Sequence, residues 1–348
     1  MGAAFKLSEQ TSVCRLPDPL LLDSGKELPG VEVAYRTWGR LSAARDNVIV
    51  ICHALTGSAD ADVWWAPLLG PDKAIDTNRW FVICSNVLGG CYGTTGPTSI
   101  APDGYWWGAR FPAVTIRDQV RAQMALADAL NIDKIQAVIG GSLGGLQALE
   151  WGWLDAGRVA SIVSLASSGR HSAWCLAWSE SQRIALQADP RYRDGRYPLG
   201  DPPQQGLAAA RAIAMVGYRS PASLERRFGR TSNHDGKFAV NAWVQFHGGA
   251  LVDRFDAHSY RLLLDAMDTH DLARDRGDYA QVLQAMKLPI LIGSIASDVL
   301  YVPADQYELT RGLPAAQLVQ IDSDQGHDGF LIDAAQFAPE LRRFLDQT

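Results

Sequence analysis

The stretch 135-IQAVIGGSLGGLQALEW-151 decides how the chain is read. An apolar, β-branched run breaks into GGSLGG and then gives way to helix formers. One hydroxyl, Ser142, sits among four glycines between an expected buried strand and an expected helix. Such a turn needs residues without a Cβ where backbones approach closely. It lifts the serine clear of the strand and points a helix N-terminus at whatever reacts there. Gly140-Gly141-Ser142-Leu143-Gly144 also fits G-x-S-x-G, which marks a nucleophile turn when a strand precedes and a helix follows.

The surrounding sequence supplies that context. Strands are expected at 31–38, 47–54, 80–86, 135–141, 159–167, 289–297 and 316–323. Most are near-continuous apolar runs, as expected of strands covered on both faces in a mostly parallel sheet. Between them, TIRDQVRAQMALADAL (115–130) has helical spacing, and Thr115 with Asp118 resembles a capping box. Strand and helix in alternation predict an α/β, doubly wound architecture. From residue 172 the strand pattern stops. WCLAWSESQRIALQA, QQGLAAARAIAMVGY and SYRLLLDAMDTHDLARD read as helices joined by turns such as DPRYRDGRYPLGDPP. The expected organisation is an α/β core over 1–171 and 286–348 with a helical lid over 172–285.

Composition narrows the function classes. A chain of 348 residues, 47% hydrophobic and 20% charged, suits one large soluble α/β unit with an insertion. The net charge is -6 and Lys and Arg form no long runs, so a nucleic-acid face is not expected. The opening MGAAFKLSEQTSVCRL has no apolar core of a secretory signal, and no run approaches the roughly 18 apolar residues of a membrane span. The five cysteines follow no C-x-x-C spacing and read as reduced structural thiols of a cytoplasmic protein. No metal-ligand spacing appears, and neither a metal nor a bound cofactor is expected.

A serine hydroxyl near neutral pH needs a base, and the base needs an orienting carboxylate. In this class of fold they follow in the order serine, acid, histidine. Asp298 stands directly after PILIGSIAS, and His327 follows AQLVQIDS in QGHDGF. Of the seven histidines, His171, His234, His247, His258 and His270 fall in or at the edge of the helical block. His53 ends an early strand and suits a structural or oxyanion-loop role. His327 is the base by position. A glycine-rich turn with a bystander serine would require neither partner. The oxyanion donors expected are the Leu143 amide and one amide of HALTGS, that of Leu55.

At this point the sequence resembles the homoserine O-acyltransferase family of the α/β-hydrolase fold. The resemblance rests on HALTG (53–57), FVICSNVLGGCYGTTGPTS (81–99), FPAVTIRDQVRAQ (111–123), GGSLGGLQALEW (140–151), ARAIAMVGYRS (210–220), RFDAHSYRLLLDAMDTHDLAR (254–274), SDVLY (297–301) and GHDGFL (326–331). It implies an acyl group passed from acyl-CoA, a co-substrate, to Ser142 and on to the hydroxyl of L-homoserine, in methionine biosynthesis. It implies that Arg211 holds the amino acid's carboxylate and Asp328 its ammonium, chemistry that suits both groups. Without the resemblance, Arg211 reads as a surface charge on a helix. A homodimer built through the lid is implied as well.

Two departures stand out. Leu143 and Leu146 replace frequent methionines, a swap of similar volume. Gly329 stands where alanine is frequent, which is expected to loosen the loop carrying His327. Succinyl-transferring relatives resemble a D-W-R pattern, whereas this chain has Asp298-Val299-Leu300. Leu300 is therefore expected to face the acyl group and to favour acetyl-CoA over succinyl-CoA by at least about a hundredfold, because an unpaired buried charge is costly. The alternatives are a homoserine O-succinyltransferase, a serine O-acyltransferase, a serine esterase with water as acceptor, and an inactive binding protein. The pairs Trp64-Trp65 and Trp106-Trp107 are expected to pack between loops and lid or to line a tunnel.

Overall fold

The computed structural model describes residues 7–232 and 235–348. Residues 1–6 of the expected core and His234 of the expected lid lie outside the described residues. Eight strands form the main sheet: β1 (Ser12–Arg15), β2 (Glu32–Trp38), β3 (Val48–Cys52), β4 (Phe81–Ser85), β5 (Ala137–Gly141), β6 (Ile162–Leu165), β7 (Ile290–Ile295) and β8 (Ala316–Ile321). Their spatial order is β1-β2-β4-β3-β5-β6-β7-β8. β2 runs antiparallel to both neighbours, and every other pair is parallel. The sequence reading finds seven of these strands and misses β1, a largely exposed edge strand without an apolar run. β3, β5, β6 and β7 are buried throughout, which accounts for their unbroken apolar character.

Two helices fix the centre of the sheet. α1 (Ile116–Ala129) begins at the expected capping box: Thr115 Oγ1 accepts from the Asp118 amide and Asp118 accepts from the Thr115 amide. α2 (Leu143–Leu154) starts directly after β5 and is almost wholly buried. Its polar side chains must therefore be satisfied inside the protein. Gln147 bridges Gln123 and Gln119 of α1 at 2.7 and 3.0 Å, and Arg117 and Arg276 both contact Glu150. This network holds the helix that follows Ser142 in place.

Between β6 and β7 the chain leaves the sheet as α3 (Ala173–Gln187), α4 (Gln204–Gly217), α5 (Pro221–Phe228), α6 (Ala239–Val252), α7 (Ala257–Asp268) and α8 (Tyr279–Ala285). It then returns, so that β6 and β7 pair directly. α5, α6 and α8 are additional to the three helices expected there. The inserted helices close over the carboxyl end of the sheet. Cys175, Leu186, Leu207, Tyr260 and Leu263 pack with Leu55, Leu143 and Leu146 in one apolar cluster. Among the described residues no helix is long and apolar enough to cross a membrane. All five cysteines are free thiols, and burial pushes that of Cys52 up to about 12.

Candidate active site

Ser142 adopts φ 57°, ψ -126°, a conformation that a residue with a Cβ rarely takes and that neighbouring structure must enforce. Its amide donates to Leu165 O at 2.9 Å, and its carbonyl accepts from Gly145 and Leu146 at 2.8 and 3.1 Å. The glycines are needed for space. A Cβ on Gly144 would collide with the Cys52 carbonyl of the neighbouring strand, and one on Gly140 with the Gly144 backbone. β3, the turn and α2 thus meet at van der Waals limits, and only Ser142 carries a reactive side chain there.

Asp298 and His327 come from the loops after β7 and β8. His327 Nδ1 lies 2.7 Å from Asp298 Oδ2, and both side chains are almost fully buried. Asp298 Oδ1 accepts from the Leu300 and Tyr301 amides at 2.8 and 3.0 Å, which fixes the carboxylate. This partner puts the proton on Nδ1 and leaves Nε2 as the basic nitrogen. Burial alone would lower the His327 pKa. The bonded Asp298, with Asp328 adding to it, outweighs that and leaves the pKa above its ordinary 6.5. The ring is packed by Tyr218, Tyr301 and Phe330 at centroid distances of 5.5 to 5.7 Å.

Ser142 and His327 line one cavity of about 530 Å³. His327 Nε2 is buried there with no hydrogen-bond partner among the described residues, so no bond joins it to the serine. Such contacts commonly tighten only with substrate in place. The cavity wall includes residues 54–59, the loop expected to complete an oxyanion site. Gly57 N–H donates to Ala54 O at 2.8 Å, closing a turn with Leu55 and Thr56 at its centre. Neither the Leu55 nor the Leu143 amide has an acceptor among the described residues.

His53 supports this loop from below. Its Nε2 accepts from the Val87 amide at 3.1 Å, and its Nδ1–H donates to Ala54 O at 2.8 Å. Burial pushes its pKa down to about 4, so the ring is neutral and can make both bonds.

Arg211, from α4, and Asp328, next to His327, line the same cavity. The Arg211 guanidinium lies 5.2 Å from the Tyr218 ring centre, and the Asp328 amide donates to Tyr218 O at 3.0 Å. Burial pushes the Asp328 carboxyl above its usual range, while His327, Arg219 and Arg211 pull it down. Arg219 Nε stands 3.7 Å from Asp328.

One expectation needs correction. Leu300 does not line the cavity; it is buried in the cluster holding Leu55 and Leu143. Its amide is held by Asp298, and its carbonyl accepts from the Cys175 thiol of α3. At Gly329 the surroundings leave little free space. Its backbone is helical, and a Cβ there would approach Ser323 Oγ to 2.7 Å, so alanine would be crowded.

Tyr218, Tyr92, Asn86 and Arg254 also line the cavity and were not singled out from sequence. All four lie in motifs quoted above, which was the available signal. Of the tryptophans, Trp64 lines the cavity, whereas Trp65 is fully buried and donates to Phe330 O at 3.0 Å. Trp106 is half exposed, and Trp107 packs edge-on against Phe111. Among the described residues no group of three or more His, Cys, Asp or Glu side chains could hold a metal ion.

A mostly parallel sheet with a strand–serine–helix turn at its centre is the frame of the α/β hydrolases, and the model of the alpha/beta hydrolase fold matches residues 47–334. Within that fold the chain belongs to the homoserine O-acetyltransferase family. It is 55% identical over 340 residues to the homoserine O-acetyltransferase of Trichormus variabilis, covering 97% of this chain and 94% of that protein. The crystal structure of homoserine O-acetyltransferase from Bacillus anthracis superposes with a TM-score of 0.90 at 25% identity, covering 97% of each chain. Esterase E22 is similar too, with a TM-score of 0.88 and 29% identity over 96% of this chain and 99% of its own.

Proposed function

We propose that this protein transfers an acetyl group from acetyl-CoA to the side-chain hydroxyl of L-homoserine through an acetyl-Ser142 intermediate. The observation that carries this reading beyond ester hydrolysis is that Arg211 and Asp328 line the cavity that Ser142 and His327 share. A cation and an anion beside the nucleophile suit an amino acid's carboxylate and ammonium. The homoserine O-acetyltransferases at about half identity over nearly the whole chain support the same substrates.

In this mechanism Ser142 Oγ attacks the thioester carbonyl while His327 Nε2 takes its proton. The Leu55 and Leu143 amides stabilise the negative oxygen that develops, and Asp298 stabilises the imidazolium. Collapse breaks the C–S bond, and His327 returns the proton to the CoA sulfur. Homoserine then attacks the acetyl-serine ester, His327 accepts its hydroxyl proton, and Ser142 leaves with that proton restored. The lid excludes water, so that transfer prevails over hydrolysis. The product would feed methionine biosynthesis in the cytoplasm. Exposed Trp174, Leu176, Ile184, Val216 and Phe246 on lid helices α3, α4 and α6 support association of two copies through the lid.

The test is a panel of acetyl-, propionyl- and succinyl-CoA, each with homoserine, serine or water. CoA release at turnover rate only with acetyl-CoA and homoserine is expected. The second reading, an esterase, is favoured by the likeness to esterase E22. Equal turnover with and without homoserine would select it.

A further inference from the structure

We infer that Arg254 is a positioning residue for the oxyanion site: a lid-borne clamp that holds the 54–57 turn so that the Leu55 amide faces the reacting carbonyl. The inference rests on Ser142 acylation as read above, though not on the identity of the acyl donor or acceptor. Arg254 lies in the short link between α6 and α7, 198 positions along the chain from the turn. Its Nη1 donates to Thr56 O at 2.8 Å and to Tyr92 Oη at 2.8 Å, and its Nη2 lies 3.4 Å from Thr56 Oγ1. Its own backbone is fixed: the amide donates to Leu251 O at 3.0 Å, and the carbonyl accepts from Tyr92 Oη at 2.8 Å.

The geometry explains why such a clamp is needed. In the 54–57 turn one internal bond runs from Gly57 N–H to Ala54 O, and neither central amide has an acceptor among the described residues. His53 ties the first residue of the turn to the core through Ala54 O. The far half has its tie to Arg254, through the Thr56 carbonyl. The Leu55 N–H shares its peptide plane with Ala54 O, and the tie at Thr56 O keeps the other end of the turn from tilting that plane. An oxyanion donor contributes to rate only when already aimed at the developing charge. A lid residue would thereby set the geometry of a donor on the sheet side of the cavity.

Arg254 is also exposed at the cavity wall, so a direct contact with CoA phosphates or a substrate carboxylate is the competing role. p-Nitrophenyl acetate separates the two, because it carries neither group. Its pre-steady-state burst gives the Ser142 acylation rate constant, and the burst amplitude counts intact sites. For Arg254→Ala the burst rate constant should fall by about 10- to 100-fold, less than the loss of a whole oxyanion donor, with the amplitude retained. Arg254→Lys should recover part of it, since one ammonium can still reach the Thr56 carbonyl. Tyr92→Phe, which frees the guanidinium from one partner, should lower it by about two- to fivefold. If Arg254→Ala folds poorly, the last two variants carry the test. An unchanged burst rate with a raised KM for acetyl-CoA or homoserine would overturn the clamp in favour of substrate contact. A lower amplitude at unchanged rate constant would overturn it in favour of a structural role. If wild-type protein shows the burst yet never acetylates homoserine, the proposed function fails and the clamp is still decided.

Discussion

The sheet-side wall of the cavity and the lid-side wall hold their functional groups by different means. On the sheet side Ser142, Asp298 and His327 are 6, 3 and 3% exposed, and backbone bonds or a charged partner fix each of them. On the lid side Arg211 is half-buried over an aromatic ring, and Arg254 reaches inward from an exposed position. The difference teaches a division of labour. The groups read as bond-making sit in a buried wall, whereas the lid supplies Arg211 to the cavity and Arg254 to the 54–57 turn.

If that division is right, damage to the sheet-side wall should remove rate and loss of Arg211 should remove affinity, whereas loss of Arg254, which acts on the oxyanion turn, should remove rate from the lid side. The largest effect is expected for Ser142→Ala: turnover lower by at least about 10⁴-fold, and loss of the mass gain of about 42 Da expected of the wild-type protein with acetyl-CoA alone. Intact-protein mass spectrometry and steady-state rates check both. Asp298→Asn should follow at about 10³- to 10⁴-fold in kcat, because an amide opposite Nδ1 favours the wrong tautomer.

The same pair sets the pH profile. His327 must be neutral to act as base, and Asp298 holds its pKa above 6.5. Activity should therefore fall as pH drops, with the acid limb of kcat/KM lying above 6.5. In Asp298→Asn that limb should move to lower pH; an unmoved limb would mean that another group titrates.

Arg211→Ala comes next and tests the lid. It should raise the KM for homoserine by about 30-fold or more, the low end of the cost of unpairing a bound charge. CoA release in the first half-reaction should change by less than about threefold. Loss of both half-reactions together would break the comparison. The smallest catalytic effect is expected for Leu300→Arg. Because Leu300 is packed away from the cavity, succinyl transfer should rise by less than about threefold. The melting temperature should fall instead, since a guanidinium would be buried among Leu55 and Leu143. A large gain in succinyl transfer would restore the donor-selecting role read from sequence.

What was legible in the sequence follows the same line. The central strands announce themselves because burial on both faces leaves only apolar residues, and the elbow does so because steric contact demands glycine at fixed offsets. β1 was silent, since an exposed edge strand is subject to neither constraint. Arg254 and Tyr218 were silent as individuals because their roles arise from convergence of distant segments, which spacing cannot encode. Leu300 misled for a related reason. Its distance from Asp298 in sequence is short, but its side chain packs in the cluster that holds Leu55 and Leu143, outside the cavity lining.

The return of the chain from Leu165 to Ile290 has a kinetic consequence. β6 and β7 are neighbours in register, yet the whole lid is synthesised between them. Closing so long a loop carries an entropic cost before any strand pairing offsets it, and such non-local topology folds slowly. On the ribosome, the nucleophile turn is translated well before β7 and β8, whose loops carry Asp298 and His327. A nascent chain therefore carries a serine with neither base nor carboxylate beside it, and cannot be acylated prematurely by this mechanism. Under the proposed mechanism the three groups can meet only after β7 and β8 have joined the sheet.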